Sequence, residues 1–418
     1  MNMYHKLQSW LAGPFSEKVQ KMVQNPYMMA LQNCFQTILP MIIVGSLATL
    51  INTLKNFVDW MPDLTLINTF TFGLISVFMI FIIPYNIMEN KGRNKEKNIV
   101  GFTAVASLIA LCNPQFVDGN LVVNSGYLGT SGMTVAVVIG VIIGLLFSAY
   151  FNHSPFKNVT SLPPIVITWF EMLVPIFIIT GVSIYVGNSI NMFTILEFIC
   201  RPIVEMGNTW LGFTLIYFIM SLCYCLGLSA WAIWPIVSVL YLTNISANAA
   251  LVAAGQPPVY IASDEVVFMG WCCIGGLGCT LPLNIMMLRS KSKKISAIGK
   301  AAFVPSIFNI NEPVMYGLPV VWNPLIMIPF MIVAVVIPTI TYAVLSFGLV
   351  TIPSTPMMMN YIPQPISAFI VNNDWRSIVL LLVTFVVSYL IYLPFFKAYE
   401  KQETDREAEE IKAESASV

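Results

Sequence analysis

The chain has 418 residues, of which 57% are hydrophobic and only 10% charged, and its 20 basic residues balance its 20 acidic ones. A soluble domain carries about 25% charge, so this composition excludes an ordinary globular fold and points to an all-α polytopic membrane protein. Zero formal net charge gives no footing for a nucleic-acid partner. Two histidines, His5 and His153, among eight scattered cysteines give no metal-ligand spacing, so neither a metal nor a cofactor is expected.

In chain order, the N-terminus is amphipathic, with Lys6, Lys18 and Lys21 among Trp10, Leu11 and Phe15, and it lacks the pattern of a removed signal peptide. Apolar runs of spanning length follow near 33–54, 66–88, 99–113, 133–151, 165–187, 209–228, 231–250, 265–288, 325–349 and 376–396, about ten in all. Basic clusters lie before the first span, at Lys91–Lys97, at Arg289–Lys300 and after Lys397. Alternating spans put all of them on one side, which the positive-inside rule makes the cytoplasm, with both termini there.

Three segments do not read as simple spans. Residues 191–207 mix Glu197, Arg201 and Glu205 with apolar residues at helical spacing, which predicts an amphipathic helix in the membrane interface. Residues 301–322 and 351–373 are broken by proline and read as two re-entrant hairpins, the second also open to reading as an ordinary loop. The predicted organisation is an N-terminal helical half (1–190), a linker helix (191–207), a substrate-binding half (208–398) and a charged cytoplasmic tail (399–418). That tail reads as a solvated helix or a disordered end.

Chemistry concentrates in Ala301–Phe330. Glu312 stands between Asn311 and Pro313, and prolines at 305, 313, 319, 324 and 329 keep interrupting the helix. An acid at membrane depth beside broken backbone is a binding-site candidate, because leaving it unpaired in hydrocarbon is costly. The alternative is a carboxylate that only caps the helix after Pro313. Glu171, inside the fifth span, either faces the same cavity or pairs across helices. Asp264 and Glu265 are expected to be solvated at an outer boundary. The polar run with Gly227, Ser229, Asn244, Ser246 and Asn248 suggests cavity lining, with small-residue helix packing as the competing explanation. Trp231, Trp234, Tyr241, Trp271, Tyr316 and Trp322 could stack on sugar faces, with anchoring at the membrane interface as the commoner role for any one of them. The pairs Cys223/Cys225 and Cys272/Cys273 read as packing. No GxxxxGK[ST] loop is present, which argues against ATP-driven transport by this chain alone.

FNINEPVMYGLPVVWNPLIMIPF resembles the Asn-Glu-Pro signature of the membrane IIC subunits of the bacterial sugar phosphotransferase system, in the lactose/cellobiose group. NPYMMALQNCFQTILPMIIVGSL, YLGTSGMTVAVVIG, SLPPIVITWFEMLVP and PSTPMMMNYIPQPISAFIVNNDWRS resemble other parts of the same family. The resemblance implies a sugar permease of the cell membrane, of the oligosaccharide or β-glucoside class, embedded in lipid as a homodimer through its N-terminal half. Phosphoryl transfer to the sugar would come from the cysteine of a separate IIB protein, itself served by IIA. Glu312 would bind the sugar and act as general base, with Asn311 beside it as a second ligand. The family's sugar-contacting histidine is matched here by Ser229, in Cys225-Leu226-Gly227-Leu228-Ser229-Ala230, and Glu171 stands where a small or neutral residue is expected. Both residues are carried as substrate-binding candidates. That departure leaves an alternative: a divergent paralogue acting as a gradient-driven sugar transporter or a non-transporting sensor.

Overall fold

A computed structural model describes residues 21, 25–55, 60–153, 164–226, 234–318, 320 and 323–416. The amphipathic N-terminus before Lys21, the run containing Ser229 and Trp231, and Trp322 lie outside the described residues. Regular secondary structure among the described residues is helical apart from one small hairpin. Among the described residues, six helical stretches are long and apolar enough to cross a membrane: Pro26–Thr49, Thr65–Asn90, Met133–Asn152, Trp169–Ser189, Leu325–Ser346 and Arg376–Glu410. Lys97–Leu111, Trp210–Cys225 and Val237–Ala253 are shorter apolar helices.

Two compact units emerge. The described residues of Glu17–Ile203 and Trp234–Val239 form one, and those of Val204–Ile233 and Leu240–Val418 form the other. The boundary near 203 falls within the linker helix expected at 191–207.

The first unit contains α1 (Pro26–Lys55), α2 (Thr65–Phe70), α3 (Ile75–Asn90), α4 (Lys97–Leu111), the strands β1 (Gln115–Val117) and β2 (Asn120–Val122), α5 (Ser125–Leu128), α6 (Met133–Asn152) and α7 (Pro164–Ser189). Helix α3 is its core, packed by α1, α4 and α6, with Ile75, Met79, Ile80, Ile83, Ile87 and Met88 fully buried. Small residues let the backbones approach: a Cβ on Gly144 of α6 would fall 2.6 Å from Ile87 Cδ1. The antiparallel β1–β2 ribbon, with Phe116 opposite Leu121, was not foreseen from sequence; three-residue strands are too short to show an alternating pattern. Helix α8 (Met192–Gly207) has the amphipathic pattern expected of it.

The second unit contains α9 (Trp210–Cys225), most of α10 (Trp234–Ala253), a π-helix (Glu265–Trp271), α11 (Leu281–Leu288), α12 (Lys293–Ile307), α13 (Glu312–Gly317), α14 (Pro324–Ser346), α15 (Gln364–Ile370) and α16 (Arg376–Ala416). Helix α14 packs between α9 and α16, and α11 packs against α12 and α16. The continuous span expected over 265–288 does not form. Gly275, Gly276 and Gly278 adopt φ of 78°, 102° and 84°, and Cys279 follows at 49°, so the chain turns sharply between the π-helix and α11. Segment 351–363 carries no helix.

The C-terminal tail is neither disordered nor free. It continues α16, and its carboxylates grip the turn before α12. Glu400 Oε1 accepts from Ser290 Oγ and Lys291 N, both at 2.7 Å. Glu407 accepts from Ser292 Oγ at 2.7 Å and from the Lys293 and Lys294 amides at 3.1 and 3.0 Å, while Glu403 pairs with Lys294 Nζ at 3.0 Å. Ser292 itself caps α12 by accepting from Ile295 N at 3.2 Å. A distant carboxylate thus satisfies amides that a helix start leaves unpaired. Glu407→Ala is expected to speed hydrogen exchange selectively at Lys293 and Lys294, and Glu407→Gln to do so less; unchanged protection in Glu407→Ala would contradict this role.

Candidate functional site

The second unit encloses a cavity of about 470 Å³, within the ~300–1,000 Å³ range of small-molecule sites. Three pieces of broken backbone meet there: the glycine turn 274–280, the link 308–312 between α12 and α13, and the extended segment 357–362.

The glycine turn is held from all sides. Thr280 Oγ1 donates to Gly275 O at 2.7 Å, Tyr392 OH to Gly278 O at 2.7 Å, and Ser388 Oγ to Cys279 O at 3.0 Å. Tyr217 OH donates to Cys272 O and accepts from Gly278 N at 2.9 Å. The turn in turn fixes Asn311, whose Nδ2 donates to Leu277 O at 2.7 Å and whose Oδ1 accepts from Tyr224 OH at 3.3 Å. Asn311 is only 4% exposed. Its amide is therefore engaged with protein on both its oxygen and its nitrogen.

Glu312 opens the first turn of α13, where the helix dipole favours a carboxylate. Its side chain is exposed to the cavity, and among the described residues it accepts no hydrogen bond and makes no ion pair. It is the one acidic residue among the described lining residues. The remaining wall is aromatic and apolar: Met220, Tyr224, Phe268, Cys273, Leu277, Ile310, Tyr316 and Tyr361. Of the aromatic candidates, Tyr316 lines the cavity, whereas Trp271 is fully buried and donates Nε1–H to Ser377 O at 3.0 Å. Tyr241 and Trp234 are also buried away from it.

The other sequence candidates separate. Ser229 lies outside the described residues. Glu171 is buried in α7 of the first unit and is not among the lining residues. Asp264 and Glu265, expected to be solvated, are 1% and 0% exposed. The reason lies in segment 351–363, which has no helix or ladder to satisfy its backbone. Glu265 Oε1 accepts from Met357 N at 2.8 Å, and Asp264 Oδ1 accepts from Asn360 Nδ2 at 3.4 Å. The far end of that segment is tied by Asp374, which accepts from Thr351 N and Oγ1 at 3.0 Å and pairs with Arg376 at 2.7 Å. That guanidinium holds the Asp374 carboxyl well below the usual carboxylate range. Asn244 and Asn248, suggested as cavity lining, are fully buried and serve backbone instead. Asn248 alone accepts from the Val259 and Tyr260 amides and donates to Tyr260 O and Pro353 O, at 2.8–3.0 Å. Sequence reasoning missed Asn309, Asn360, Tyr224 and Tyr361; only Asn309 lay inside the flagged motif.

The family profile described as phosphotransferase system, EIIC matches residues 32–334. The chain is 26% identical to the PTS system oligo-beta-mannoside-specific EIIC component of Bacillus subtilis (strain 168), covering 99% of this chain and 98% of that protein. It is 27% identical to the lichenan permease IIC component of the same organism (91% of each), and 27% identical to the PTS system lactose-specific EIICB component of Staphylococcus aureus (strain N315), covering 94% of this chain and 72% of that one. Among solved structures, ChbC, the IIC component from the N,N'-diacetylchitobiose-specific phosphotransferase system, superposes with a TM-score of 0.83 at 24% identity, covering 96% of this chain and 99% of that one, a likeness of fold.

The glycine turn offers a direct check on the site's geometry. A Cβ on Gly276 would sit 2.5 Å from Asn311 Cγ, at a φ of 102° that side chains rarely adopt. Gly276→Ala is expected to cost ~1–3 kcal/mol and to lower the thermal unfolding midpoint in detergent. A variant that melts with the wild type would show that Asn311 can move aside.

Proposed function

We infer the function of this protein from one premise: the chain belongs to the EIIC family of the phosphotransferase system. It is a sugar permease of that system, an integral membrane protein that acts with a IIB phosphocarrier. The gradient-driven and sensor alternatives are not favoured, since the relatives above are named as components or permeases of this system.

We propose that the sugar occupies the 470 Å³ cavity of the second unit and that Glu312 is the residue that acts on it. One observation carries this reading: a carboxylate with no partner among the described residues faces a cavity whose neighbouring amide, Asn311, is already engaged. The carboxylate accepts a hydrogen bond from one sugar hydroxyl. As that oxygen bonds to phosphorus and the phosphorus–sulfur bond to the IIB cysteine breaks, Glu312 takes the hydroxyl proton and the thiolate leaves. The aromatic wall from Tyr224, Tyr316 and Tyr361 covers the sugar's apolar face. Relatives named for oligo-beta-mannoside, lichenan and lactose support a substrate of the oligosaccharide or β-glucoside class.

The wider arrangement belongs to the same proposal. Both termini are cytoplasmic, following the basic clusters; segments 301–322 and 351–373 are re-entrant; the protein is a homodimer in lipid, joined through its N-terminal half. Ser229 takes part in sugar binding in place of the family's histidine, and Glu171 remains a second candidate.

Phosphoenolpyruvate-dependent sugar phosphorylation by membranes supplied with IIA and IIB is expected to fall by about 10²–10⁴-fold in Glu312→Gln. Equal rates in the two membranes would remove Glu312 from the mechanism.

A further inference from the structure

Asn309 stands three residues before Glu312, at the end of α12, with a φ of 61°. That left-handed conformation is one asparagine tolerates better than most residues. Its side chain spends every polar atom on the backbone of two other segments. Nδ2 donates to Asn360 O and Ile362 O, both at 3.0 Å, and Oδ1 accepts from Gly275 N at 3.1 Å. Those segments supply the facing walls of the cavity: Gly276 and Leu277 on one side, Asn360 and Tyr361 on the other. With both N–H groups and one lone pair of the oxygen committed, this amide has no donor left to offer a sugar hydroxyl, although it lines the same cavity.

We propose that Asn309 is a positioning residue that locks the three walls of the cavity into one body. It fixes where Glu312 meets the bound sugar, and this part rests on the role proposed for Glu312 above. Neighbouring contacts show why the lock is needed. Segment 357–362 has no helix or ladder of its own, and the glycine turn likewise takes its hydrogen bonds from side chains, so each wall is held from outside itself. One planar amide with two donors and one acceptor joins both to the loop that carries Glu312. Aspartate, with the same shape, would turn two donors into an oxygen facing two carbonyls. Glycine would keep the backbone angle and lose all three ties.

The test uses the full-length protein in detergent, with candidate β-glucosides and β-linked disaccharides as ligands. Sugar affinity is measured without a phosphoryl donor, and turnover with IIA and IIB present. Asn309→Gly is expected to weaken sugar binding and to lower kcat, each by about tenfold or more, because a displacement of about 1 Å disrupts a positioned site. Combined with Glu312→Gln, it is expected to lower kcat no further than Glu312→Gln alone, since the two act on the same step. Asn309→Asp is expected to bind sugar poorly and to recover part of its affinity, relative to wild type, as the pH falls and a protonated carboxyl returns one donor. Affinity and kcat within twofold of wild type in folded Asn309→Gly, or an undiminished further loss of kcat in the double variant, would overturn the proposal. Should Glu312→Gln alone turn over like wild type, the role of Glu312 falls, and the wall-locking role of Asn309 is judged on affinity alone. If Asn309→Gly is not recovered folded, Asn309→Asp decides on the same affinity readout, with wild-type affinity at every pH counting against the lock.

Discussion

The second unit is governed by one constraint: backbone that is not helical, inside an apolar protein, must find its hydrogen-bond partners among side chains. An unpaired amide or carbonyl in apolar surroundings costs several kcal/mol. Asparagine is the main instrument, because one amide can both donate and accept in a plane. Asn248 satisfies the extended chain at 259–260 and at Pro353, and Asn244 donates to Ala262 O at 2.6 Å while Asn208 accepts from Ala262 N at 3.0 Å. Gln364 and Ser367 serve the carbonyls at Phe268, Met269 and Gly270, around the π-helix. The irregular segments are therefore fixed parts of the structure, each held by partners from elsewhere in the same unit.

This constraint also explains what is left over for chemistry. Several polar groups near the cavity are engaged within the protein: the amides of Asn309 and Asn311 and one oxygen of Glu265 serve backbone, while Asp264 Oδ1 holds the Asn360 side chain and Asn311 Oδ1 the Tyr224 hydroxyl. Glu312 differs from them: it sits on the same loop, next to the engaged amide of Asn311, and its carboxylate has no partner among the described residues and is open to the cavity. A rigid frame around one unengaged acid places a proton acceptor without spending binding energy on rearrangement, as transition-state stabilisation requires.

The tail extends the same logic beyond the apolar region. Glu400, Glu403 and Glu407, at spacings that repeat along one face of α16, hold the turn at 290–294 and so the start of α12. The other end of α12 leads into Asn309 and Glu312, and α13 packs back on α12, where a Cβ on Gly317 would fall 2.5 Å from Ile298 Cγ2. The helix leading into the motif is thus pinned at both ends, by acids at one and by an amide at the other.

By itself, the sequence determined the class of protein and the place to look. Long apolar runs demanded helices in a membrane, prolines around 305–329 demanded a break, and Glu312 within that break stood out as an acid in an apolar neighbourhood. Those are local properties of composition and spacing. Tertiary structure alone decided which polar residues are structural and which are free. Asp264 and Glu265 look like surface acids until Met357 and Asn360 reach them, the former across 92 positions; Asn309 looks like any motif asparagine until residues 51 and 53 positions away bond to it. The expected span over 265–288 failed for the same reason, since positive φ at its glycines is stabilised by partners such as Tyr217 and Tyr392 that lie far from it in the chain. Hydropathy reports whether a residue prefers water; whether its hydrogen bonds are already spent depends on partners that only the folded chain brings within 3 Å.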